Sequence, residues 1–189
     1  VTGGTGFIGK KVVLKLAKRN LNIVVADIDL RYNKEILINS YNKCQYNIKK
    51  LFFEKLDLTN YENINYLFSK YKFDAIIHLA YGIGSICENN PVLAGHINIV
   101  GTACMFEKVV EYKIPRMIFT SSETVYGANQ SFYGKRSIVE NDYCGIDQHF
   151  YTYGAMKSLN EFMAEKYIKR HGVSIAYTRP SVVFGYGRQ

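Results

Sequence analysis

Apolar residues in this chain fall into short runs separated by stretches with a helical repeat. Residues 23–26, 51–56, 75–79, 117–120 and 173–178 are rich in β-branched or aromatic side chains and predict five strands. Between them, Ile8, Val12, Val13, Leu16 and Ala17 recur at a spacing that puts them on one side of a helix. Ala155, Leu159, Phe162, Met163 and Tyr167 do the same and predict a second apolar stripe. Strands that alternate with helices pair in parallel through right-handed crossovers, so the pattern predicts an α/β fold built on a doubly wound parallel sheet. No internal repeat, linker or low-complexity run divides residues 1–189, which read as one domain.

Composition narrows the function classes. A chain of 189 residues with 48% hydrophobic content buries one sizeable core. No apolar stretch approaches the roughly 20 residues that span a bilayer, and no charged-then-apolar leader opens the chain. The expectation is a cytoplasmic protein with no membrane partner. The formal charge is +8, but the basic residues are dispersed, with Lys10, Lys11, Lys15, Lys18 and Arg19 on what reads as an outer helix face. Solvated faces explain them better than nucleic acid does, and an anionic substrate is compatible with the charge. Cys44, Cys87, Cys104 and Cys144 form no CxxC pair, and the four histidines have no ligand spacing, so free thiols and no metal are expected.

The candidate chemistry starts at TGGTGFIG, where Gly3, Gly6 and Gly9 have the spacing GxxGxxG. Glycine lets the backbone turn tightly and approach a pyrophosphate, while a helix beginning near Phe7 and Ile8 aims its free N–H groups and positive dipole end at it. A tight strand-to-helix turn alone would also use these glycines. Asp27 closes the second strand 18 residues beyond Gly9, where a carboxylate accepts hydrogen bonds from both hydroxyls of an adenosine ribose and repels a 2′-phosphate. NAD is therefore favoured over NADP, with Arg31 close enough to reverse the choice.

Further motifs follow in order: Asp57-Leu58-Thr59, IIHLAYG at 76–82, Asn98-Ile99-Val100-Gly101-Thr102, TSSETVYG at 120–127, Tyr153-Gly154-Ala155-Met156-Lys157 and Arg179-Pro180. Together with the glycine spacing they resemble the extended short-chain dehydrogenases/reductases, the NAD-dependent epimerase/dehydratase family, whose fold is the Rossmann fold. The resemblance implies that Asp57 and Leu58 contact adenine, that Leu79, Ala80 and Tyr81 line the cofactor, and that Asn98, at a helix start, supports the active site. Beside a chain of this family, Val1 stands where a whole first strand is expected, and Gln189 follows a strand and a glycine-rich turn. The sequence reads as a fragment lacking most of strand one and the C-terminal substrate region.

Tyr153 and Lys157 are i and i+4 on one helix face, so the ammonium lies near the phenol. A free tyrosine titrates near 10, and a nearby positive charge lowers it by roughly 1–3 units, enough to make a workable general base. Tyr151 and Tyr167 are competing tyrosines, read as packing or surface groups. Ser122, 31 residues before Tyr153, would orient a substrate oxygen, although a serine here also caps a strand-end turn. The catalytic set implied by the resemblance is Ser122, Tyr153 and Lys157, acting on a sugar nucleotide or related small molecule by transient hydride transfer. Dehydratases of the family carry Asp-Glu directly after the serine or threonine, whereas this chain has Glu123 and Thr124, and Ser181-Val182 stand where many epimerases have asparagine. A dehydratase, a reductase or dehydrogenase, and a non-catalytic NAD(P)-binding member are the alternatives. The family also implies a homodimer, formed by helices over about residues 91–112 and 153–171.

Overall fold

The computed structural model describes residues 1–127 and 129–186, with only the backbone of Tyr32. All five expected strands form: β1 (Ile23–Asp27), β2 (Leu51–Lys55), β3 (Ile76–His78), β4 (Met117–Thr120) and β5 (Ile175–Thr178). Every pairing is parallel. Ile23 lies opposite Leu51, Ile76 opposite Met117, and Met117 in turn opposite Ile175. Thr2 joins the two halves of the sheet through parallel bridges to Ala26 on one side and His78 on the other. The Ala26 N–H donates to the Val1 carbonyl at 2.9 Å, and the Thr2 N–H donates to the Ile77 carbonyl at 3.0 Å. Residues 1–2 thus hold the central strand position, in the order β2, β1, residues 1–2, β3, β4, β5. Strand order reverses at that point, which in a doubly wound sheet opens the ligand crevice at the carboxyl ends of the strands.

Helices cover both faces. On one side, α1 (Phe7–Ala17) and α2 (Arg31–Lys43) bury Val13, Leu37 and Tyr41 against Ile23, Val25 and Leu51. On the other, α3 (Tyr61–Lys70), α6 (Gly101–Glu111) and α7 (Thr152–His171) pack Ile64, Phe68, Met105, Phe106 and Ala164 on Ile76, Met117, Phe119 and Ile175. Two short helices, α4 (Ser85–Asn89) and α5 (Pro91–Gly95), precede α6. Among the described residues no helix is long and apolar enough to cross a membrane, and all four cysteines are free thiols.

Two local features differ from the sequence expectations. Asn98 does not start a helix: helical structure already runs from Pro91, capped by the Asn90 side chain, and Asn98 sits inside a π-helical turn (His96–Val100) that leads into α6. Such turns widen the backbone locally and occur at functional sites. The apolar stripe on α7 is also divided. Leu159 and Phe162 face solvent, while Gly154, Lys157, Asn160, Glu161 and Ala164 face inward. Polar side chains hold these buried positions because each has hydrogen-bond partners there. Between β4 and α7, the described residues include 3₁₀ turns at Glu123–Tyr126, Gln130–Tyr133 and Ile146–Gln148.

Candidate active site

The glycine-rich turn links the central strand to α1, and its geometry explains two of its glycines. Gly3 has φ +63°, and a Cβ there would stand 2.7 Å from the Ala80 nitrogen. At Gly9 a Cβ would meet the Gly3 carbonyl oxygen at 2.1 Å. The first turn of α1 therefore lies directly on the Gly3 turn, as close backbone approach requires. Gly6 caps α1 without a side chain, and no acidic residue occupies the first turn, which leaves the N–H groups at Phe7 and Ile8 and the positive helix end facing the crevice. This fits the diphosphate of a dinucleotide, and a Cβ at Gly6 would press on the Gly3 carbonyl oxygen at 3.2 Å within the same turn.

Asp27 closes β1, and one of its carboxylate oxygens accepts from the Thr5 N–H at 3.0 Å and the Thr5 hydroxyl at 2.7 Å. The other accepts from the Ile28 N–H at 2.9 Å. Arg31, the residue that could have favoured NADP, instead donates to Asp29 at 3.2 Å through Nε and 3.0 Å through Nη2. Asp57 accepts from the Thr59 N–H and hydroxyl at 2.9 and 2.7 Å in a turn before α3, and Leu58 is buried beside it. Leu79 and Ala80 both bond back to the central strand: their N–H groups donate to the Thr2 hydroxyl at 3.2 and 3.3 Å.

At the ends of β3 and β4 the remaining residues converge. Lys157 is only 2% exposed; it donates to the Thr120 carbonyl at 2.5 Å, and its ammonium lies 3.3 Å from the centre of the Tyr81 ring. The Tyr153 ring packs edge-on against Tyr81, centroids 5.6 Å apart, and its centroid is also 5.6 Å from the ammonium. Burial pulls Lys157 down to about 7. Burial likewise raises the Tyr153 phenol, with a side-chain hydrogen bond to Ser122 acting in the opposite direction. The lowering of Tyr153 by Lys157 that the i, i+4 spacing implied does not dominate here, because desolvation is larger and the ammonium is engaged by Thr120 and Tyr81. Ser122 also caps the turn after β4, accepting from the Thr124 N–H at 3.2 Å. The capping bond uses the same hydroxyl that the orienting role expected from the sequence would need.

The competing tyrosines are elsewhere. Tyr151 is exposed and stacks edge-on against Phe150, while the Tyr167 hydroxyl bonds Glu107 on α6. Around the site runs a polar network only partly foreseen from sequence. The Asn98 side chain accepts from the Gly82 N–H at 2.7 Å and donates to the Gly82 carbonyl at 2.9 Å. Asn160 donates to the Asn98 carbonyl at 3.0 Å and to the Tyr81 hydroxyl at 3.1 Å. Arg179 closes on Glu161 at 2.6 Å and reaches the Tyr126 hydroxyl at 2.9 Å, tying the Arg-Pro turn to α7. Asn160 and Glu161 were missed, yet they lie three and four residues after Lys157, which is the signal that placed them on its face.

Residues 1–189 match the NAD dependent epimerase/dehydratase family. The chain belongs to that family. Among curated proteins it is 36% identical over 129 residues to UDP-glucose 4-epimerase 2 of Arabidopsis thaliana, a match covering 67% of this chain and 37% of that protein. Its fold is similar to that of the UDP-Glc/GlcNAc 4-epimerase of Campylobacter jejuni (TM-score 0.79, 24% identity, 94% of this chain and 51% of that one). A comparable likeness links it to L-threonine dehydrogenase of Clostridium difficile (TM-score 0.74, 23% identity, 94% and 51%). The chain thus spans little more than a third of the length of the curated relative and about half of the structural ones. The family is NAD dependent, and the glycine turn, with no side chain at the Gly6 cap, and the Asp27 carboxylate are compatible with a group of that kind.

Proposed function

We propose that the full-length protein is an NAD-dependent sugar-nucleotide epimerase in which Tyr153 is the general base, Lys157 stabilises its anion and Ser122 orients the substrate oxygen. The observation that carries this reading is the meeting of these three side chains, delivered by β4 and by the first turns of α7, beside the crevice where strand order reverses. When bound, NAD accepts a hydride from the carbon bearing the reacting hydroxyl and can return it. Gly3, Gly6, Phe7, Ile8 and Gly9 would hold its diphosphate, Asp27 its adenosine ribose, and Asp57 and Leu58 its adenine, with Leu79, Ala80, Tyr81 and Asn98 toward the reactive end.

The protein's own part is proton transfer and positioning. The Ser122 hydroxyl acts on the Tyr153 phenol in the lowering direction, so a substrate hydroxyl taking up a place beside both would be aligned for transfer to the phenolate. Placed 5.6 Å from the tyrosine ring, a charged Lys157 is worth about 3 kcal/mol to a phenolate at an effective dielectric of about 20. Charge state matters, since Lys157 titrates near 7 in the cofactor-free protein. Reversal of the proton path, from Tyr153 back to the substrate oxygen held by Ser122, would complete the protein's part in the epimerisation. Homodimerisation belongs to the same proposal: Val92, Val100, Leu159 and Phe162 lie exposed on the outward sides of the packed helices 91–111 and 152–171.

Tyr153→Phe in the full-length protein tests the reading. Turnover of a UDP-hexose should drop by about 10²–10⁴-fold while NAD affinity holds, and the wild type should run with no net gain of NADH. Full activity in the variant would overturn the site, and steady NADH accumulation would assign a dehydrogenase.

A further inference from the structure

The Lys157 ammonium is enclosed rather than poised in solvent. Its contacts are the Thr120 carbonyl at 2.5 Å and the face of Tyr81, whose centre is 3.3 Å away. A cation at that distance from an aromatic face, with water excluded, is at the strong end of such contacts. Tyr81 is in turn held from behind. Its hydroxyl accepts from Asn160, and Asn160 donates as well to the Asn98 carbonyl. Both asparagines are fully buried, and Asn98 grips the Gly82 backbone on both its N–H and its carbonyl. The same Tyr81 ring meets Tyr153 edge to face.

We infer that Tyr81 is a positioning residue for the proposed base: its ring holds the Lys157 ammonium beside Tyr153, and the Asn160–Asn98 bonds fix the ring. This rests on the assignment of Tyr153 and Lys157 made above. The physical reason is the negative face of the ring, which offsets part of the cost of keeping a charged lysine out of water. Without that face, the buried ammonium keeps the Thr120 carbonyl and the favourable charges of Glu161 and Cys87, with His78 as a further titratable neighbour, and loses the contact that sits directly on it, so it either gives up its proton more readily or leaves the pocket. In either event Tyr153 loses the positive charge that stabilises its phenolate. The edge of Tyr81 additionally limits the swing of Tyr153, as an edge-to-face pair does.

The test replaces the ring in two ways in the full-length protein, with NAD present. Tyr81→Met keeps apolar volume and removes the face; kcat should fall by about tenfold or more, the change a desolvated cation–π contact supports, with the substrate KM little altered. The acid limb of the kcat–pH profile should move to higher pH. Tyr81→Phe keeps the face and loses only the Asn160 bond, so it should recover most of the loss. Pentafluorophenylalanine at position 81 keeps the ring's shape and reverses the charge of its face. It is the decisive variant should Tyr81→Met fold poorly. Its kcat should fall to the level of Tyr81→Met, and the Lys157 titration followed by NMR in the NAD-free protein should move below that of Tyr81→Phe. Equal kcat and equal Lys157 titration in the Phe and pentafluoro variants would overturn the inference. If Tyr153→Phe is inactive while the ring-reversed variant matches Phe, only the role of Tyr81 falls. If Tyr153→Phe is fully active, the site beneath it falls too.

Discussion

Thr5 donates two hydrogen bonds to a single carboxylate oxygen of Asp27, one from its N–H at 3.0 Å and one from its hydroxyl at 2.7 Å. The glycine turn and the end of β1 are thereby locked together, and the carboxylate is oriented before any ligand arrives. Preorganisation of this kind lowers the ordering cost of binding. In the proposed binding mode, the carboxylate would also repel a 2′-phosphate.

NAD should consequently bind more tightly than NADP, by roughly tenfold or more, the equivalent of about 1.4 kcal/mol. Fluorescence titration of both cofactors measures the gap. Asp27→Ala should narrow it, and Thr5→Val should weaken NAD without reversing the preference. Arg31 is engaged by Asp29 in an exposed ion pair, a weak interaction, so Asp29→Asn should move affinity toward NADP only slightly. Equal affinities in the wild type would mean that Arg31 sets the choice.

The contact of Gly9 with the Gly3 carbonyl leads to a second expectation. A methyl group at position 9 would need to occupy space 2.1 Å from that oxygen, so the turn must open. Gly9→Ala should destabilise the protein by about 1–3 kcal/mol, as overpacking does. NAD affinity should fall with it, since the N–H groups of α1 would be displaced from the diphosphate. Wild-type NAD affinity in a folded Gly9→Ala protein would contradict this.

The fold was legible in the sequence because its signals are local. Each strand is a short β-branched or aromatic run, and these runs alternate with stretches of helical repeat, which leaves few topologies. The site was legible where glycine spacing and i, i+4 geometry carry direct spatial meaning. Periodicity failed on α7, where Leu159 and Phe162 looked like core but face outward, because the inward face has to deliver Lys157 and its hydrogen-bonded neighbours. The order of electrostatic effects at Tyr153 was also hidden, since burial is a property of packing and not of spacing. Nor does any local pattern announce that Thr2, His78 and Thr102 form one buried chain, because they are brought together only by the sheet.

That buried chain predicts a pH effect on stability. His78 accepts or donates at 2.7 Å to the Thr2 hydroxyl and lies 3.3 Å from that of Thr102, and burial, with Lys157 nearby, pulls it down to about 3. An unfolded chain takes up a proton at this histidine below about 6.5, while the folded one refuses it until about 3. Stability at this site is therefore complete above 6.5 and is lost as pH falls toward 3, by up to a few kcal/mol. Urea midpoints at pH 7 and pH 4 should fall further in the wild type than in His78→Gln. The same drop in both would remove His78 as the cause.

The last expectation concerns the outward face of α7. Phe162 is 54% exposed and Leu159 41%, while Val100, on the neighbouring helical run, is 50% exposed. Single exposed apolar residues are ordinary, but several on the outward sides of two packed helices are what a second protein surface would cover. In a two-fold dimer the same face would pack against itself, which buries all of these residues twice over. Charge placed at the centre of such a face is costly on association and harmless in the monomer, where Phe162 already meets water and Lys166 lies 4.6 Å from its ring centre. Phe162→Glu in the full-length protein should accordingly shift the mass measured by light scattering from dimer to monomer with little change in the monomer's circular dichroism. Since Asn160 and Lys157 lie on the opposite side of α7, NAD affinity should survive the change. A wild type that stays monomeric at tens of micromolar, or a Phe162→Glu protein that remains dimeric, would refute the homodimer through this face.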